Sequence, residues 1–365
     1  MSAPFVLSAG GTGGHLFPAQ ALAAELHLRG GRVVVMTDGR GSNYGEAFPG
    51  AEISLIPAAT FVGRSVLGRI AALGEIALGV VAAFAKLLKL KPRAVVGFGG
   101  YPSLPVMLAA SAAGYPTALH EQNAVPGRVN RLLAGRVKRI AASFAFARYA
   151  PKDGGRIVFT GNPIRPEARR LARAPYAPPT ADGPIRLLVF GGSQGARALS
   201  EIVPAALARL PDVLRRRLAV IQQCRPEDIQ AVRAVYAGAG IGAEIARFYA
   251  DLPQRMADAH LVISRSGAST VAELAAIGRP AILVPYPFAT DDHQSANAAV
   301  IADAGAGWAC PQDTLDADTL ARLLENIFSH PADLAARAAS AAQLGKPDAA
   351  ARLADLVERL SDGNA

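Results

Sequence analysis

Residues 5–19, FVLSAGGTGGHLFPA, combine an apolar run, a turn with four glycines and a segment with helical spacing. The apolar run is typical of a buried parallel strand. A glycine-rich turn between a strand and a helix exposes backbone N–H groups at the positive end of the helix dipole, where phosphate binds well. The stretch therefore predicts an α/β unit with an anion site at the end of its first strand.

A second stretch, residues 186–196, repeats this arrangement with the sequence RLLVFGGSQGA. Short apolar strands alternate with longer helical segments on both sides of it. Such alternation is typical of a doubly wound parallel sheet with helices on both faces. We therefore predict an α/β protein of two Rossmann-like domains that face each other across a cleft, with ligands at the carboxyl ends of the strands.

The boundary between the two domains is predicted from proline content. Residues 161–184 hold six prolines, a density that excludes a strand or a long helix. We expect an N-terminal domain over 1–165, a linker over 166–184, a second domain over 185–340 and a final helical segment over 341–365.

Positive charge is concentrated in the first half of the chain. Residues 1–183 hold 21 Lys and Arg against 9 Asp and Glu, net +12, and residues 184–365 hold 17 against 20, net −3, which sum to +9. A basic surface predicts an anionic partner such as a phosphorylated substrate or an acidic membrane. Nucleic acid is not expected, because aromatic residues for base stacking make up only 6% of the chain.

One apolar stretch is a candidate for membrane contact. Residues 76–85, IALGVVAAFA, are expected to be too short to cross a bilayer, which takes about 20 apolar residues. The wider segment 64–91 is either a helix packed on the protein or a helix that rests on anionic lipid. No secretory signal is expected, and two cysteines do not make a disulfide framework or a zinc site.

Neither glycine loop matches a common nucleotide signature. The dinucleotide fingerprint G-x-G-x-x-G fails at Leu16, which stands at the third glycine position, although Asp38 follows the second strand as a ribose-binding acid would. The phosphate loop of NTPases needs a Gly-Lys-Ser/Thr sequence that both loops lack. A tight turn without a ligand stays open as an alternative for either loop.

His15 directly follows the first glycine loop. A histidine with a pKa near neutral can take a proton from an attacking hydroxyl, which is worth roughly 100- to 10,000-fold in rate. We therefore predict that His15 is a catalytic base. The alternative is a helix cap or a packed imidazole.

The second half carries two further polar stretches. In residues 264–274, SRSGASTVAEL, Glu273 lies in the first turns of a predicted helix, where it could accept two ribose hydroxyls or simply complement the helix dipole. Residues 291–298, DDHQSANA, supply Gln294 and Asn297 for sugar hydroxyls or for capping. We expect no metal, because the sequence shows no clustered acid pair of the kind that would hold a bridging Mg²⁺; the nearest candidate is residues 291–293, DDH.

Together these stretches resemble the MurG family of bacterial glycosyltransferases. Seven motifs follow the family's order from residue 5 to about 340: GGTGGHLFPA, GFGGYPS, HEQNAVPG, TGNPIR, FGGSQGA, SRSGASTVAEL and DDHQSANA. The resemblance implies the GT-B fold, with the last helix packing back on the first domain. It implies inverting, metal-independent transfer of N-acetylglucosamine from UDP-N-acetylglucosamine to undecaprenyl-pyrophosphoryl-MurNAc-pentapeptide, without a cofactor, at the cytoplasmic face of the bacterial inner membrane.

The resemblance also assigns site residues. His15 matches the family's candidate base. The positions that match the family's donor contacts are Thr12, Gly13, Gly14, Asn123, Arg165, Ser193, Tyr249, Ala268, Ser269, Thr270, Val271, Glu273 and Gln294. Tyr249 is a looser match, since the family has an apolar residue there whose backbone pairs with the uracil.

Three other functions stay open on the sequence. They are a related GT-B transferase with another lipid acceptor, a catalytically silent membrane scaffold or nucleotide-sugar sensor, and an NAD-linked oxidoreductase. HEQNAVPG and DDHQSANA together favour the muramyl acceptor, and the presence of His15, Arg165 and Glu273 argues against a silent protein.

Overall fold

The computed structural model describes residues 2–10, 13–39, 48–59, 66–192 and 195–363. The chain divides into two compact units, which we call unit 1 (Met1–Arg165 with Asp348–Ala365) and unit 2 (Pro166–Pro347). Each unit has a parallel sheet with helices on both faces, which confirms the predicted α/β class with two Rossmann-like domains.

The described residues of unit 1 form a seven-stranded parallel sheet in the order β3-β2-β1-β4-β5-β6-β7. The strands are β1 (Phe5–Ser8), β2 (Val33–Thr37), β3 (Glu52–Leu55), β4 (Ala94–Gly97), β5 (Thr117–Glu121), β6 (Arg139–Ala142) and β7 (Ile157–Phe159). The interior strand β1 pairs with β2 on one side and with the central strand β4 on the other.

The described residues of unit 2 form a six-stranded parallel sheet in the order β10-β9-β8-β11-β12-β13. The strands are β8 (Ile185–Phe190), β9 (Leu218–Gln223), β10 (Gly242–Ala246), β11 (Leu261–Ser264), β12 (Ala281–Leu283) and β13 (Gly307–Ala309). The central pair is β8 and β11, so the stretch that repeats the beginning of the chain again supplies an interior strand.

The helices alternate with these strands along the chain. Unit 1 holds α1 (Gly13–Leu28), α2 (Val66–Leu90), α3 (Ser103–Ala112) and α4 (Arg128–Leu133). Unit 2 holds α5 (Pro166–Arg170), α6 (Arg197–Ala208), α7 (Asp212–Arg215), α8 (Ile229–Gly238), α9 (Leu252–Asp258), α10 (Ala268–Ile277), α11 (His293–Asp303), α12 (Ala317–Ser329) and α13 (Pro331–Leu344). The last helix, α14 (Ala349–Ser361), belongs to unit 1.

Alternation along β1 builds two cores in unit 1. Successive strand side chains point to opposite faces of a sheet. Leu7 packs on one face with Leu22 of α1, and Val6 packs on the other face with Ala83 of α2 and Met107 of α3. A strand buried on both faces needs a continuous apolar run, which explains the FVL sequence in β1.

The last helix is held on unit 1 by apolar burial and by one arginine. Leu353 and Val357 of α14 are completely buried in the same core as β1 and α1. Burial of such side chains stabilises by about 1.5–3 kcal/mol each. Arg29, at the end of α1, donates to Asp355 at 2.6 Å and to Glu358 at 2.7 Å.

Residues 166–184, predicted as a linker, belong to unit 2. Prolines leave carbonyl groups of this segment without partners in a helix or a sheet. The buried guanidinium of Arg279 donates to two of them, Ala174 O at 3.0 Å and Pro175 O at 2.8 Å. Tyr176 then donates its hydroxyl to His260 O at 2.9 Å. These bonds attach the segment to unit 2.

The helix α2 lies within the segment 64–91 for which the sequence analysis expected a helix. Residues 70–90 have a mean hydropathy of 1.9 and are, by length and composition alone, long and apolar enough to cross a membrane, whereas the sequence analysis judged residues 76–85 alone and expected them to be too short. Ala72, Ala83 and Leu87 nevertheless lie completely buried in the core of unit 1. The opposite side of α2 exposes large apolar residues: Ile70, Leu73, Leu78, Val81, Phe84 and Leu88.

We predict opposite stability effects for two glycines of α2. A Cβ atom at Gly79 would lie 2.0 Å from Pro57 O, whereas a Cβ atom at Gly74 would meet nothing within 4 Å. Gly79→Ala should therefore lower the free energy of unfolding by about 2 kcal/mol through overpacking. Gly74→Ala should raise it by up to about 1 kcal/mol, because alanine has the better helix propensity.

Urea unfolding followed by circular dichroism measures both variants against the parent chain. Equal changes in the two variants would contradict the close packing of α2 on Pro57.

Candidate functional site

The carboxyl ends of β1 and β4 bring two glycine loops together in unit 1. Ser8 pairs with Gly97, and the Phe98 N–H donates to Ser8 O at 2.9 Å. The described residues that follow, 9–10 after β1 and 98–102 after β4, therefore leave the sheet side by side. A Cβ atom at Gly10 would lie 2.9 Å from the ring of Pro102, so the contact between the loops requires glycine. This edge is where open α/β sheets bind their ligands.

His15 lies in the first turn of α1, against the second glycine loop. A Cβ atom at Gly99 would lie 3.4 Å from His15 Cδ2, and one at Gly100 would lie 3.6 Å from His15 Nδ1. Both glycines have positive φ, 84° and 71°, a region that side chains rarely adopt. The half-buried imidazole therefore lies beside this loop, where side chains at the two glycine positions would contact it.

The first turn of α1 also contains Gly13 and Gly14, and it has no acidic residue. Backbone N–H groups at this end of a helix favour an anion. Thr12 lies outside the described residues.

Hydrogen bonds of Tyr101 and Ser103 hold the second glycine loop in place. Asp38 is buried and accepts a hydrogen bond from the Tyr101 hydroxyl at 2.5 Å. The Ser103 hydroxyl donates to Gly100 O at 2.9 Å. The sequence analysis considered Asp38 only as an acid that could bind a ribose, and it missed Tyr101. The sequence signals for this pair were an aspartate directly after a strand and a tyrosine in a glycine loop.

The HEQN motif places a buried imidazole next to this site. His120 is fully buried, and burial lowers its pKa to about 4, so the ring is neutral at neutral pH. Gln122 Nε2 donates to His120 Nδ1 at 3.1 Å. The proton of the neutral imidazole is therefore on His120 Nε2, which donates to Gly161 O at 3.2 Å. The sequence analysis gave His120 no role, although a histidine inside an apolar strand was a signal for a buried polar network.

Glu121 organises the loop that follows β5. Its carboxyl group is buried, which raises its pKa, and it accepts from Gly127 N at 2.9 Å and from Asn130 Nδ2 at 2.8 Å. It also accepts from the backbone N–H of Asn123 at 3.0 Å and from Asn123 Nδ2 at 3.3 Å. The predicted donor contact Asn123 is thus held by Glu121.

Arg165 is the last residue of the N-terminal part of unit 1 and lies next to α1. Its guanidinium carbon lies 5.6 Å from the ring centroid of Phe17, a residue of α1 two positions after His15. Of the predicted residues, Gly13, Gly14 and His15 therefore belong to the first turn of α1, and Arg165 lies beside the Phe17 ring of the same helix.

In unit 2, the predicted donor residues gather at the start of α10. Gly267 is the N-cap, and Ala268 to Val271 form the first turn. The hydroxyl of Ser269 is buried and has no hydrogen-bond partner among the described residues. Glu273 lies in the next turn and is buried, with an interaction partner in the chain. A helix start with an unsatisfied hydroxyl suits an anionic ligand with polar oxygens.

Gln294 is joined to this helix start through Ser266. The Ser266 hydroxyl donates to Gln294 O at 2.8 Å, and the Gln294 side-chain oxygen accepts from Tyr286 N at 2.9 Å. Asn297 is fully buried and donates to Ser266 O at 3.1 Å, so it braces the loop.

Arg265 is a residue that the sequence analysis missed. Its guanidinium donates to Val284 O and Pro285 O, each at 3.0 Å, and to Gln312 Oε1 at 2.6 Å. Burial lowers its pKa. It therefore joins the ends of β11, β12 and β13; the signal was a lone arginine directly after an apolar strand.

The side chain of Tyr249 faces the protein interior. Its hydroxyl donates to Glu244 O at 3.1 Å, and the guanidinium of Arg255 lies 4.2 Å from its ring centroid. Burial raises its pKa to about 12. Only the backbone of Tyr249 is therefore suited to a ligand contact. Ser193 lies outside the described residues.

No group of three or more His, Cys, Asp and Glu side chains is placed to hold a metal ion in the described parts of the chain. In the DDH sequence, Asp291 and Asp292 have positive φ, 53° and 52°, and His293 Nδ1 lies 2.8 Å from Thr290 O. Two consecutive left-handed residues store backbone strain next to Gln294.

Two parts of the chain match one protein family. Residues 5–142 match the N-terminal domain of glycosyltransferase family 28, and residues 186–353 match its C-terminal domain.

Curated relatives are similar over almost the whole chain. A protein of Paramagnetospirillum magneticum is 54% identical over 352 residues, which cover 96% of this chain and 95% of the relative. A protein of Rhodospirillum rubrum is 53% identical over 357 residues, which cover 98% and 92%. Both are named UDP-N-acetylglucosamine--N-acetylmuramyl-(pentapeptide) pyrophosphoryl-undecaprenol N-acetylglucosamine transferase.

Solved structures share the fold. The crystal structure of Acinetobacter baumannii MurG is 32% identical, with a TM-score of 0.80 and 98% of this chain and 99% of that chain covered. A putative UDP-N-acetylglucosamine 2-epimerase from Listeria monocytogenes is 15% identical, with a TM-score of 0.71 and coverage of 100% and 98%, and shows the fold alone. From the family match and these relatives, the chain belongs to glycosyltransferase family 28 and, within it, to the MurG family.

Proposed function

We propose that this protein transfers N-acetylglucosamine from UDP-N-acetylglucosamine to the muramyl 4-hydroxyl of undecaprenyl-pyrophosphoryl-MurNAc-pentapeptide. Relatives more than 50% identical over nearly the whole chain carry that name. The observation on this chain that carries the proposal is the position of His15 beside Gly99 and Gly100, at the carboxyl ends of β1 and β4.

The chemistry is a single displacement at the anomeric carbon. The muramyl 4-hydroxyl oxygen attacks C1 of the donor sugar, and its proton passes to the imidazole of His15. The bond from C1 to the β-phosphate oxygen breaks, and UDP leaves with the electron pair. Attack from the face opposite UDP inverts the anomeric configuration.

The residues of unit 2 would bind the donor. Negative charge that develops on UDP is stabilised by the N–H groups at the start of α10, which are preorganised by the fold. The hydroxyl of Ser269 and the carboxylate of Glu273 are suited to donor oxygens and ribose hydroxyls, and Gln294 to sugar hydroxyls. In unit 1, the loops beside His15 would hold the acceptor's pyrophosphate.

The direct test is transfer of labelled N-acetylglucosamine to the lipid-linked muramyl-pentapeptide in detergent, with and without EDTA. We expect product in both, because the proposed mechanism uses His15 and backbone N–H groups. Loss of product in EDTA and its return with Mg²⁺ would contradict the metal-independent route. Donor binding without transfer would favour the related transferase with another lipid acceptor.

A second prediction concerns the base. His15→Ala should lower turnover by roughly 100- to 10,000-fold, because the attacking hydroxyl loses its proton acceptor. Affinity for the donor, measured by calorimetry, should change little. His27→Ala is the matched control, since His27 is an exposed histidine at the other end of α1. A folded His15→Ala protein with full turnover would remove His15 from the base role.

We also propose that unit 1 rests on the cytoplasmic face of the bacterial inner membrane as a peripheral protein. The polyprenyl acceptor lies in a membrane, and α2 exposes a row of large apolar side chains that ends at the exposed Lys89 and Lys91. An apolar helix face next to lysines favours an anionic membrane surface. The net charge of +12 over residues 1–183 supports the same partner.

The pair of changes Leu78→Glu and Val81→Glu should weaken binding to anionic phosphatidylglycerol vesicles by at least about tenfold, because two apolar side chains that are 66% and 68% exposed would no longer enter the lipid. Vesicle sedimentation measures the change. Leu28→Glu is the control, since Leu28 is 80% exposed outside α2. Equal losses in the two proteins would contradict a specific role of α2.

A further inference from the structure

A cavity of about 370 Å³ lies in unit 1 and has no part in the chemistry described above. It is bounded by the end of β5, by α4, by β6 and by the loop that leads to β7. Its volume falls within the range of small-ligand pockets, about 300–1,000 Å³. Leu119, Ile140 and Phe146 give it an apolar floor.

The cavity shares a wall with the site of His15. Asn130 lines the cavity, and its side-chain amide lies 3.3 Å from the position of a Cβ atom at Gly99. His15 Cδ2 lies 3.4 Å from that same position. Asn130, which lines the cavity, and the imidazole of His15 therefore both lie beside Gly99.

The lining of the cavity carries more cations than acids. Arg131, Lys152 and Arg156 line it together with Glu121 and Asp153, and the guanidinium of Arg131 lies 4.3 Å from the ring centroid of Tyr149. The surrounding sequence, residues 128–156, holds a single acidic residue, Asp153. Its basic residues are Arg128, Arg131, Arg136, Lys138, Arg139, Arg148, Lys152 and Arg156.

The cations of the rim differ in their hydrogen bonds and ion pairs with the rest of the chain. Arg156 is bound to Asp153 at 2.7 Å and to the carbonyl groups of Gly135 and Val137, so it holds the cavity wall in place. Lys152 is exposed and has no acidic partner among the described residues. Lys152 is therefore the rim cation best placed to pair with an incoming carboxylate.

We propose that this cavity receives the peptide of the acceptor and that Lys152 pairs with a carboxylate of that peptide. The inference rests on the proposed function. In a muramyl sugar the peptide is attached through the lactyl group on C3, next to the carbon that carries the attacking hydroxyl. When that hydroxyl is at His15, the peptide begins within a few bonds of the cavity wall. A peptide attached through its N-terminus keeps a free C-terminal carboxylate, which the basic rim complements.

The test measures the acceptor KM with a water-soluble, short-chain analogue of the lipid-linked muramyl-pentapeptide, without vesicles. Lys152→Glu should raise this KM by roughly tenfold, the effect of losing one charge-assisted hydrogen bond, and the loss should fall on KM rather than on kcat. Ala150→Trp, which narrows the cavity without a change of charge, should also raise it. Lys138→Glu is the matched control, because Lys138 is exposed on the same basic segment but does not line the cavity.

A second acceptor, with every peptide carboxyl group converted to an amide, separates this pairing from a general charge effect. The Lys152→Glu variant should show the parent's KM for that acceptor. An equal rise for both acceptors, or an equal rise in Lys138→Glu, would overturn the proposal. Vesicle binding lost in Lys152→Glu with the soluble acceptor's KM unchanged would assign the rim to lipid and also overturn it. Failure of the parent chain to transfer to either acceptor would instead reject the proposed function.

Discussion

The parallel pairing of β1 with β4 is the constraint on which the site in unit 1 depends. This pairing makes the two strands end at the same edge, so the loops after Ser8 and Gly97 must share a small space. A Cβ atom at Gly10 would lie 2.9 Å from the ring of Pro102, and Gly99 and Gly100, which have positive φ, lie beside His15. The edge at which the imidazole lies is therefore built from backbone that glycine adopts readily and other residues rarely do.

A buried polar network on β5 gives the same edge a second source of order. A buried carboxyl group without partners would destabilise the fold, and the raised pKa of Glu121 reflects this cost. The N–H groups that satisfy Glu121 come from the loop over residues 123–127, so the loop is ordered by the requirement to pair the carboxyl oxygens. His120 is neutral for the same reason of burial, and it joins β5 to Gly161. These residues act by holding loops in place.

The fold by itself does not decide the reaction. A putative 2-epimerase shares the architecture with a TM-score of 0.71 at 15% identity. Function therefore depends on which side chains stand at the strand ends, as it does in other widely used folds. In this chain they include a histidine against two glycines in unit 1, and in unit 2 a helix start with a buried hydroxyl. Relatives above 50% identity have names that specify both the sugar donor and the acceptor, which the fold alone does not specify.

The sequence by itself determined the fold class, the two-domain organisation, the family and the position of His15. Strand runs, glycine turns and helical spacing are local patterns, and a local pattern is readable without coordinates. Tertiary structure alone decided the rest. Glu121 and Asn130, nine residues apart, meet in one hydrogen bond, and Asp38 is bound by Tyr101 from another loop. The exposed apolar side of α2 and the cavity beside Lys152 also arise only when distant segments pack. Contacts between residues far apart in sequence leave no periodic signal in one chain, and for that reason they had to be seen in the structure.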